Sequence, residues 1–170
     1  KLKVIVPVTP RMSNHNDFDA LRVHHEIDFE FIYASELTAT TLPPADLIIL
    51  AGSKNSRADL AFLKQQGWDQ QIQKHLRYGG KVFGICGGYQ MLGQTIADPL
   101  GIEGEIGETS GLNILPMTTS LLADKTLKNQ QGSLSLAGKN IAVQGYEIHL
   151  GHTEHFTALT PILSINNQPQ

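Results

Sequence analysis

Three short apolar runs constrain the fold of this chain more than any other feature of its sequence. They cover residues 4–8, 47–50 and 81–85 and are rich in valine, isoleucine and leucine. Runs of this length and composition are typical of strands buried on both faces of a sheet. Residues 28–33 predict a further strand. Because helical segments alternate with these strands, the pattern predicts an α/β fold with a mostly parallel sheet and helices on both faces.

The helical segments carry signals at their ends. Asn16 can cap a short helix, and Ser56 with Asp59 three residues later forms a capping-box pattern. Gly79 and Gly80 end a later helix, whose apolar face is marked by side chains spaced four apart, at Trp68, Ile72 and Leu76. These helices fit the connections that a parallel sheet requires.

The second half of the chain has a different texture, with little helical spacing after Asp98. Glycines follow in quick succession at 101, 104, 107 and 111, and residues 114–122, 133–136 and 140–148 resemble strands. We expect them to form antiparallel pairs along one edge of the sheet. No repeat, low-complexity tract or linker divides the sequence, so residues 1–170 are predicted to form a single domain.

The stretch KVFGICGGYQML, residues 81–92, contains the only cysteine of the chain. It leads from a strand through Cys86 and two glycines into a helical segment, which we expect to extend to about Ile96. This order predicts a nucleophile elbow, a tight turn that forces the nucleophilic side chain into a cleft. Glycines at positions 84, 87 and 88 remove side chains that would clash in such a turn. The start of a helix also favours the thiolate, the reactive form of cysteine.

A small buried cysteine between a strand and a turn is the alternative interpretation of Cys86. The glycines on both sides favour the nucleophile. A chain with one cysteine forms no internal disulfide, and a free thiol fits the reducing cytoplasm. We therefore expect a cytoplasmic protein whose thiol is available for chemistry.

A cysteine nucleophile needs two donors for the oxyanion of a tetrahedral intermediate. The backbone N–H of Gly87, directly after the nucleophile, is one candidate. The N–H of Gly52 or Ser53, at the end of the neighbouring strand, is the other. A plain turn between strand and loop is the alternative role for Gly52.

The nucleophile also needs a base, and among the seven histidines His149 is the clearest candidate. It lies two residues after Glu147 in a strand-like segment, so both side chains point to the same face and are expected in the cleft. A structural histidine bonded to the backbone is the alternative. His149, His152 and His155 are spaced three apart, but this spacing matches no established metal-ligand pattern, so no metal site is predicted.

Charge and composition argue against several classes of function. The net charge of −3 gives no reason to expect nucleic acid or an anionic membrane surface as a partner. No apolar run reaches the length of a membrane span, and the N-terminus has no signal-peptide pattern. The loop at residues 52–55 resembles a phosphate loop in composition but lacks the P-loop spacing, so no nucleotide or other cofactor is predicted to bind this chain.

Taken together and in order, the motifs resemble the C-terminal glutamine amidotransferase domain of the cobyric acid synthase family. The resemblance spans nearly the whole chain and implies a flavodoxin-like α/β fold of the class I amidotransferase type. It is carried by PRMSN at 10–14 with DFD at 17–19, GSKN at 52–55 with ADL at 58–60, GICGGYQMLG at 84–93, IADPLGIEG at 96–104 and GYEIHLG at 145–151.

The resemblance implies that Cys86 attacks the side-chain amide of glutamine, releasing ammonia and leaving a thioester that water hydrolyses to glutamate. An N-terminal synthetase domain of the same enzyme would use the ammonia, with ATP and Mg²⁺, to amidate carboxylates of cobyrinic acid a,c-diamide in cobalamin biosynthesis. Glutamine, that synthetase domain and, through it, the corrinoid are the implied partners. The candidate residues for holding the substrate and oxyanion are Gly52, Ser53, Gly87, Tyr89 and Glu147.

One family motif is missing from the sequence. The catalytic histidine of the family lies in a later motif of the form Gly-Thr-Tyr-Leu-His-Gly, which does not occur before Gln170. The resemblance therefore implies an excised, C-terminally truncated part of a longer enzyme, whose base lies beyond Gln170. Since general base assistance contributes about 10²–10⁴-fold, we expect residues 1–170 alone to hydrolyse glutamine poorly.

Two other functions stay open at this point. The first is a binding or regulatory domain that keeps the fold without turnover, which the missing histidine motif favours. The second is the glutaminase of a related amide synthase, acting in a,c-diamide formation or in lipid II amidation. These relatives share the Cys-Gly-Gly-Tyr elbow but match the Ser-Lys-Asn loop and the IADP segment less well.

Overall fold

The computed structural model describes residues 1–35, 40–157, 159–165 and 168–169, with the backbone alone for residues 124–126 and 168–169. The first half of the chain alternates strands and helices. A 3-10 turn, His15–Phe18, precedes the first helix. The elements of this half are β1 (Leu2–Pro7), α1 (Asp19–Val23), β2 (Ile27–Ile32), β3 (Leu47–Leu50), α2 (Ser56–Gln65), α3 (Trp68–Arg77), β4 (Lys81–Gly84) and α4 (Gly87–Met91).

The four strands of this half form one parallel sheet in the order β2-β1-β3-β4. This confirms the predicted parallel α/β arrangement, and the order is that of the flavodoxin-like folds, with the chain direction across the sheet reversing between β1 and β3. The carboxyl ends of β1, β3 and β4 lie at the same edge. The loops that follow them, around residues 8–13, 51–55 and 85–86, therefore converge at that edge.

The sheet is buried on both faces, as the apolar runs predicted. Successive side chains of a strand point to opposite faces, and here they enter two separate clusters. Ile5 and Ile48 pack in the cluster that contains the apolar face of α2 and α3, including the fully buried Trp68. Val4, Val6 and Ile49 pack in the cluster that contains Phe18, beside α1. Helical segments thus cover both faces.

The second half of the chain forms its own six-stranded sheet, and the expectation that these strands extend the edge of the parallel sheet is wrong. Its strands are β5 (Thr95–Asp98), β6 (Gly107–Ser110), β7 (Met117–Leu136), β8 (Lys139–His155), β9 (Leu163–Ile165) and β10 (Gln168–Pro169). Most pairs are antiparallel, as predicted, but β5 pairs parallel to β7.

The three predicted strand segments of this half merge into the single long hairpin of β7 and β8. Its turn is made by Ala137 and Gly138, both at positive φ, the conformation that a tight hairpin connection requires. The register shifts between Ser120 and Lys125. The strand begins at Met117 rather than at 114, since Pro116 has no N–H to contribute to a sheet.

Helix α4 ends at Met91, so the expectation that it extends to about Ile96 is wrong. Tertiary hydrogen bonds replace the helical ones at this point. The N–H of Gln94 donates to the Met117 carbonyl at 2.7 Å, and the Gln94 carbonyl accepts from Gly111 N–H at 2.7 Å. The backbone of Gly93 also lies too close to Met117 for a larger residue. Pairing with β7 therefore takes the chain out of the helix.

The helix caps also differ from the predicted ones. Asn55, not Ser56, caps α2, and its Oδ1 accepts from Ala58 N–H at 2.9 Å. Asn16 lies inside the 3-10 turn, where no side-chain cap forms. None of the helices in the described part of the chain has the length and apolar character needed to cross a bilayer.

Candidate active site

Cys86 lies at the turn between β4 and α4, as the sequence predicted. Its backbone has φ 49° and ψ −112°, a conformation that residues with a side chain rarely adopt, and its side chain is exposed. Strain of this kind costs about 1–3 kcal/mol and persists where the surrounding structure enforces it. The buried-cysteine interpretation therefore does not hold, and the turn has the shape of a nucleophile elbow.

Three glycines make the elbow possible because the space around them is already filled. A Cβ built on Gly88 would lie 2.1 Å from the Leu50 carbonyl oxygen. On Gly84 it would lie 2.6 Å from Tyr89 Cα. On Gly87 it would lie 2.7 Å from Ser56 Oγ. The elbow is thus packed against β3 and the start of α2 with no room for a methyl group.

The loop after β3 brings the second candidate oxyanion donor to the elbow. A Cβ built on Gly52 would lie 3.8 Å from Cys86 Cβ, and one on Gly87 would lie 3.0 Å from Ser53 N. Glycine at position 52 therefore allows the loop after β3 to approach Cys86 closely, a role that a simple turn between strand and loop would not require. The backbone N–H groups of Ser53 and Gly87 lie on neighbouring segments beside Cys86, where a developing oxyanion needs donors.

A second loop fixes this arrangement from the β1 side. The N–H of Ser13 donates to the Gly52 carbonyl at 2.8 Å, and Lys54 N–H donates to the Arg11 carbonyl at 3.0 Å, which pairs Met12 with Ser53. Neither bond uses the N–H of Ser53. The two loops therefore hold each other while that donor stays out of their pairing.

Asp59 of α2 lies beneath both loops and is fully buried. Its carboxylate accepts hydrogen bonds from Ser53 Oγ at 2.6 Å, Thr9 Oγ1 at 2.8 Å and Arg11 N–H at 3.0 Å. A buried carboxylate requires such partners. The capping-box pattern predicted that Asp59 would cap its helix, but Asp59 instead binds the Ser53 side chain and the loop after β1.

Glu147 and His149 form a pair on β8. His149 Nε2 lies 2.6 Å from Glu147 Oε1, which confirms that the two side chains share a face. Glu147 Oε2 accepts from Gln130 Nε2 at 2.7 Å, and the bonds from His149 and Gln130 lower the pKa of Glu147 below its ordinary value. His149 Nδ1 lies 3.1 Å from the Gly151 carbonyl. The described hydrogen bonds of His149 therefore stay on its own strand and do not join it to the elbow.

A different histidine connects the hairpin to the elbow. The hydroxyl of Tyr89, on α4, lies 3.3 Å from Nε2 of His155 at the end of β8. Burial raises the pKa of Tyr89, so the phenol is neutral at neutral pH. The two residues are 66 positions apart, and no sequence pattern links them. In the described part of the chain, no three His, Cys, Asp or Glu side chains are grouped closely enough to hold a metal ion.

Comparison with known proteins identifies the family of this chain and agrees with the active site proposed around Cys86. The model of the CobB/CobQ-like glutamine amidotransferase domain matches residues 3–170. The chain belongs to this family. The residues described above around Cys86 are therefore the candidate active site of a glutamine amidotransferase domain.

Curated relatives narrow the resemblance to one enzyme. The chain is 56% identical over 154 residues to the cobyric acid synthase of Vibrio vulnificus strain CMCP6. The aligned region covers 91% of this chain and 31% of that protein. It is also 56% identical over 158 residues to the cobyric acid synthase of Shewanella oneidensis, and that aligned region covers 92% of this chain and 31% of the Shewanella protein. The chain thus spans about a third of the length of these relatives and matches their C-terminal domain.

Solved structures show the same fold at low sequence identity. A structure of PurLQS from Thermotoga maritima matches with a TM-score of 0.65 and 17% identity, covering 99% of this chain and 76% of that one. A crystal structure of a glutamine amidotransferase matches with a TM-score of 0.64 and 14% identity, covering 97% and 82%. These likenesses confirm the predicted amidotransferase-type α/β fold.

Three side chains behind the elbow of this amidotransferase domain, those of Ser56, Gln90 and Glu103, were not predicted from the sequence as site residues, although Ser56 was expected to cap its helix. Ser56 is 1% exposed, and its Oγ donates to Gln90 Oε1 at 3.0 Å. The N–H of Ser56 donates to Glu103 Oε2 at 2.7 Å. Burial raises the pKa of Glu103 above its ordinary value. The signal for Glu103 was its place in the family segment at 96–104, but its contact with Ser56, 47 positions away, depends on the tertiary fold.

Proposed function

We propose that this chain is the glutamine-hydrolysing domain of a cobyric acid synthase, with Cys86 as its nucleophile. The observation that carries the proposal is the exposed thiol on a strained turn, beside the backbone N–H groups of Gly87 and Ser53. Family membership and 56% identity to cobyric acid synthases support the same activity.

In the proposed reaction, Cys86 Sγ attacks the side-chain carbonyl carbon of glutamine. The charge that develops on the carbonyl oxygen is stabilised by the N–H groups of Gly87 and Ser53. The base passes the proton taken from the thiol to the leaving nitrogen, the C–N bond breaks, and ammonia leaves with the glutamyl group held as a thioester. Water then attacks the thioester, which releases glutamate and restores the thiol.

The base that takes the thiol proton is proposed to come from the later histidine motif of the family and not from His149. A general base must lie within hydrogen-bond reach of the proton it takes. The hydrogen bonds of His149 run to Glu147 and to the Gly151 carbonyl, on the same strand. We propose that this pair stabilises β8. This motif does not occur within residues 1–170.

The ammonia is proposed to reach a synthetase domain in the N-terminal part of the same polypeptide. The support is that this chain corresponds to the C-terminal 31% of the relatives it matches. That domain would bind ATP and Mg²⁺ and amidate carboxylates of cobyrinic acid a,c-diamide, while this chain binds glutamine and no cofactor of its own. A cytoplasmic location fits a reaction that depends on a reduced thiol.

A glutamine-analogue electrophile tests the proposal in the complete polypeptide that carries this chain. The reagent is a glutamine analogue that carries a diazoketone in place of the side-chain amide, and we expect it to label Cys86. Cys86→Ala should abolish this labelling and reduce glutamine-dependent amidation by about 10⁴-fold or more. The same variant should keep its amidation activity when ammonium salt replaces glutamine, because the synthetase domain does not use Cys86. This control separates loss of chemistry from loss of folding.

Two outcomes would point to the alternatives. A wild-type polypeptide that releases no ammonia from glutamine and is not labelled at Cys86 would favour a binding or regulatory domain. A polypeptide that hydrolyses glutamine but amidates lipid II, or forms the a,c-diamide, would keep the nucleophile and change the acceptor.

A further inference from the structure

Ser56 lies between the two segments that supply the candidate oxyanion donors. It is the first residue of α2, three positions after Ser53, and its Oγ lies 2.7 Å from where a Cβ on Gly87 would be. The same hydroxyl donates to Gln90 Oε1, on the helix that follows Cys86. Ser56 therefore contacts the elbow at Gly87 and Gln90, and it directly follows the loop that carries Ser53.

Glu103 holds Ser56 in that position. Its Oε2 accepts the Ser56 N–H at 2.7 Å, and its Oε1 lies 3.4 Å from Ser56 Oγ. Its backbone carbonyl also accepts a hydrogen bond from the side-chain amide of Asn55. One residue of the 99–106 segment thus bonds to both residues at the start of α2.

The segment that presents Glu103 is itself anchored in the core. Asp98 is fully buried and accepts the N–H groups of Ile102 and Glu103, each at 2.8 Å. Arg57 Nη1 lies 3.9 Å from Asp98 Oδ2 and donates to the Glu105 carbonyl at 2.5 Å. Burial alone would raise the pKa of Asp98, but the backbone N–H groups and Arg57 outweigh it and lower this pKa. The turn at 98–103 is therefore a charged, fixed support.

We propose that Glu103 is a positioning residue for glutamine hydrolysis, which sets the spacing between the Ser53 and Gly87 donors by holding Ser56 against the elbow. This inference rests on the proposed function of Cys86. The described hydrogen bonds of Glu103 run to Ser56, Asn55 and Asp98 and not to Cys86, so Glu103 acts through Ser56. Its removal displaces the donors from the oxyanion, and a misplacement of about 1 Å costs about a hundredfold in rate.

Replacement by glutamine preserves the contacts that replacement by alanine removes. The side-chain carbonyl of glutamine accepts the Ser56 N–H, and its amide nitrogen donates to Ser56 Oγ, which stays free to donate to Gln90. Alanine removes the acceptor of the Ser56 N–H, and water cannot easily replace it because Ser56 is only 1% exposed. The pair Glu103→Gln and Glu103→Ala therefore separates geometry from charge. Glu105, exposed and two residues on, offers a matched control.

The test compares two reactions of Cys86 in the complete polypeptide. Glutamine hydrolysis passes through an oxyanion and needs the donors, whereas alkylation by iodoacetamide displaces iodide and forms no oxyanion. For Glu103→Ala we expect kcat for glutamine hydrolysis to fall about tenfold to a hundredfold, with the alkylation rate of Cys86 unchanged. Glu103→Gln should recover most of the loss, and Glu105→Ala should match the wild type in both reactions.

Several outcomes would overturn the inference. Wild-type kcat in Glu103→Ala would do so, and so would equal slowing of hydrolysis and alkylation, because the elbow itself would then be lost. If Glu103→Ala fails to fold, as loss of its ammonium-dependent amidation would show, Ser56→Ala takes its place in the test. We expect Ser56→Ala to slow glutamine hydrolysis without slowing alkylation of Cys86. Slowing of both reactions, or of neither, would overturn the inference. A wild-type enzyme without glutaminase activity would instead overturn the proposed function.

Discussion

The elbow and the part of β8 from Gly145 to His149 differ in how their glycine and polar side chains are surrounded. Around the elbow, Asp59 is buried and bonded to Thr9, 50 positions away, and Gly88 has no room for a methyl group. On the hairpin, Glu147 and His149 bond to each other two positions apart, and Gly145 has open space around it. Long-range crowding fixes atoms in place, which catalysis requires, whereas the Glu147–His149 pair lies within β8 and bonds across the hairpin to Gln130 of β7.

Alanine at the two glycines sharpens this comparison with the largest expected effect. Gly88→Ala should lower the free energy of unfolding by about 3 kcal/mol or more, because its Cβ would meet the Leu50 carbonyl at 2.1 Å. Gly145→Ala should change it by no more than about 0.5 kcal/mol. Urea unfolding followed by the fluorescence of Trp68, the only tryptophan, measures both.

The Gly88 result would be informative in sign as well as in size. In an ordinary helix, alanine is more stable than glycine by about 0.5–1 kcal/mol. A stabilised Gly88→Ala would mean that the elbow is not packed against β3 as described, and equal losses at both glycines would remove the contrast between the two regions.

The second prediction concerns the histidine of the hairpin pair. In the complete polypeptide, His149→Ala should reduce glutamine hydrolysis by less than about tenfold, because the hydrogen bonds of His149 stay on its own strand. His152→Ala, an exposed histidine of the same strand, sets the baseline for a change in the hairpin. A loss in the range of about 10²–10⁴-fold for His149→Ala alone would identify it as the base after all.

The smallest expected effect is a difference in the sign of the pH dependence with which Glu103 and Glu147 contribute to stability. Burial raises the pKa of Glu103, with Asp98 nearby adding to the rise, and hydrogen bonds to Ser56 only partly oppose it. Its contribution to stability is therefore fully present below the ordinary pKa of glutamate and is lost as the pH rises through the raised value.

Glu147 behaves in the opposite way. Hydrogen bonds from His149 and Gln130, with Lys128 nearby, lower its pKa. Its contribution is present above the ordinary pKa and is lost as the pH falls through the lowered value. Urea unfolding of the wild type, Glu103→Gln and Glu147→Gln between about pH 2.5 and pH 7 should give differences that slope in opposite directions, with the Glu147 difference developing below the ordinary glutamate pKa and the Glu103 difference above it. Slopes of the same sign would contradict the assignment.

Local patterns predicted much of the fold. The apolar runs predicted β1, β3 and β4, and the alternation of these strands with helical segments predicted that both faces would be covered, because such patterns are local in the sequence. The elbow followed from its glycines and the flanking strand. The end of α4, the separate second sheet and the Asn55 cap were missed, since each depends on hydrogen bonds or pairing between segments far apart in the sequence.

The candidate site divides in the same way. Cys86, Gly52, Ser53 and Gly87 were predicted from motifs, and their roles in catalysis stay predictions. His155 and Glu103 were not singled out as site residues, although Glu103 lies in a segment that carries the family resemblance. Their partners, Tyr89 and Ser56, are 66 and 47 positions away.

The sequence by itself determined the family, the parallel sheet and the position of the candidate nucleophile, because each follows from short contiguous motifs. Only the tertiary structure decided what surrounds Cys86. It brought Ser53 beside Gly87, placed Asp59 and Glu103 beneath the loops, and kept His149 on its own strand. The physical reason is that buried polar groups must find partners, and the fold alone determines which distant residues supply them.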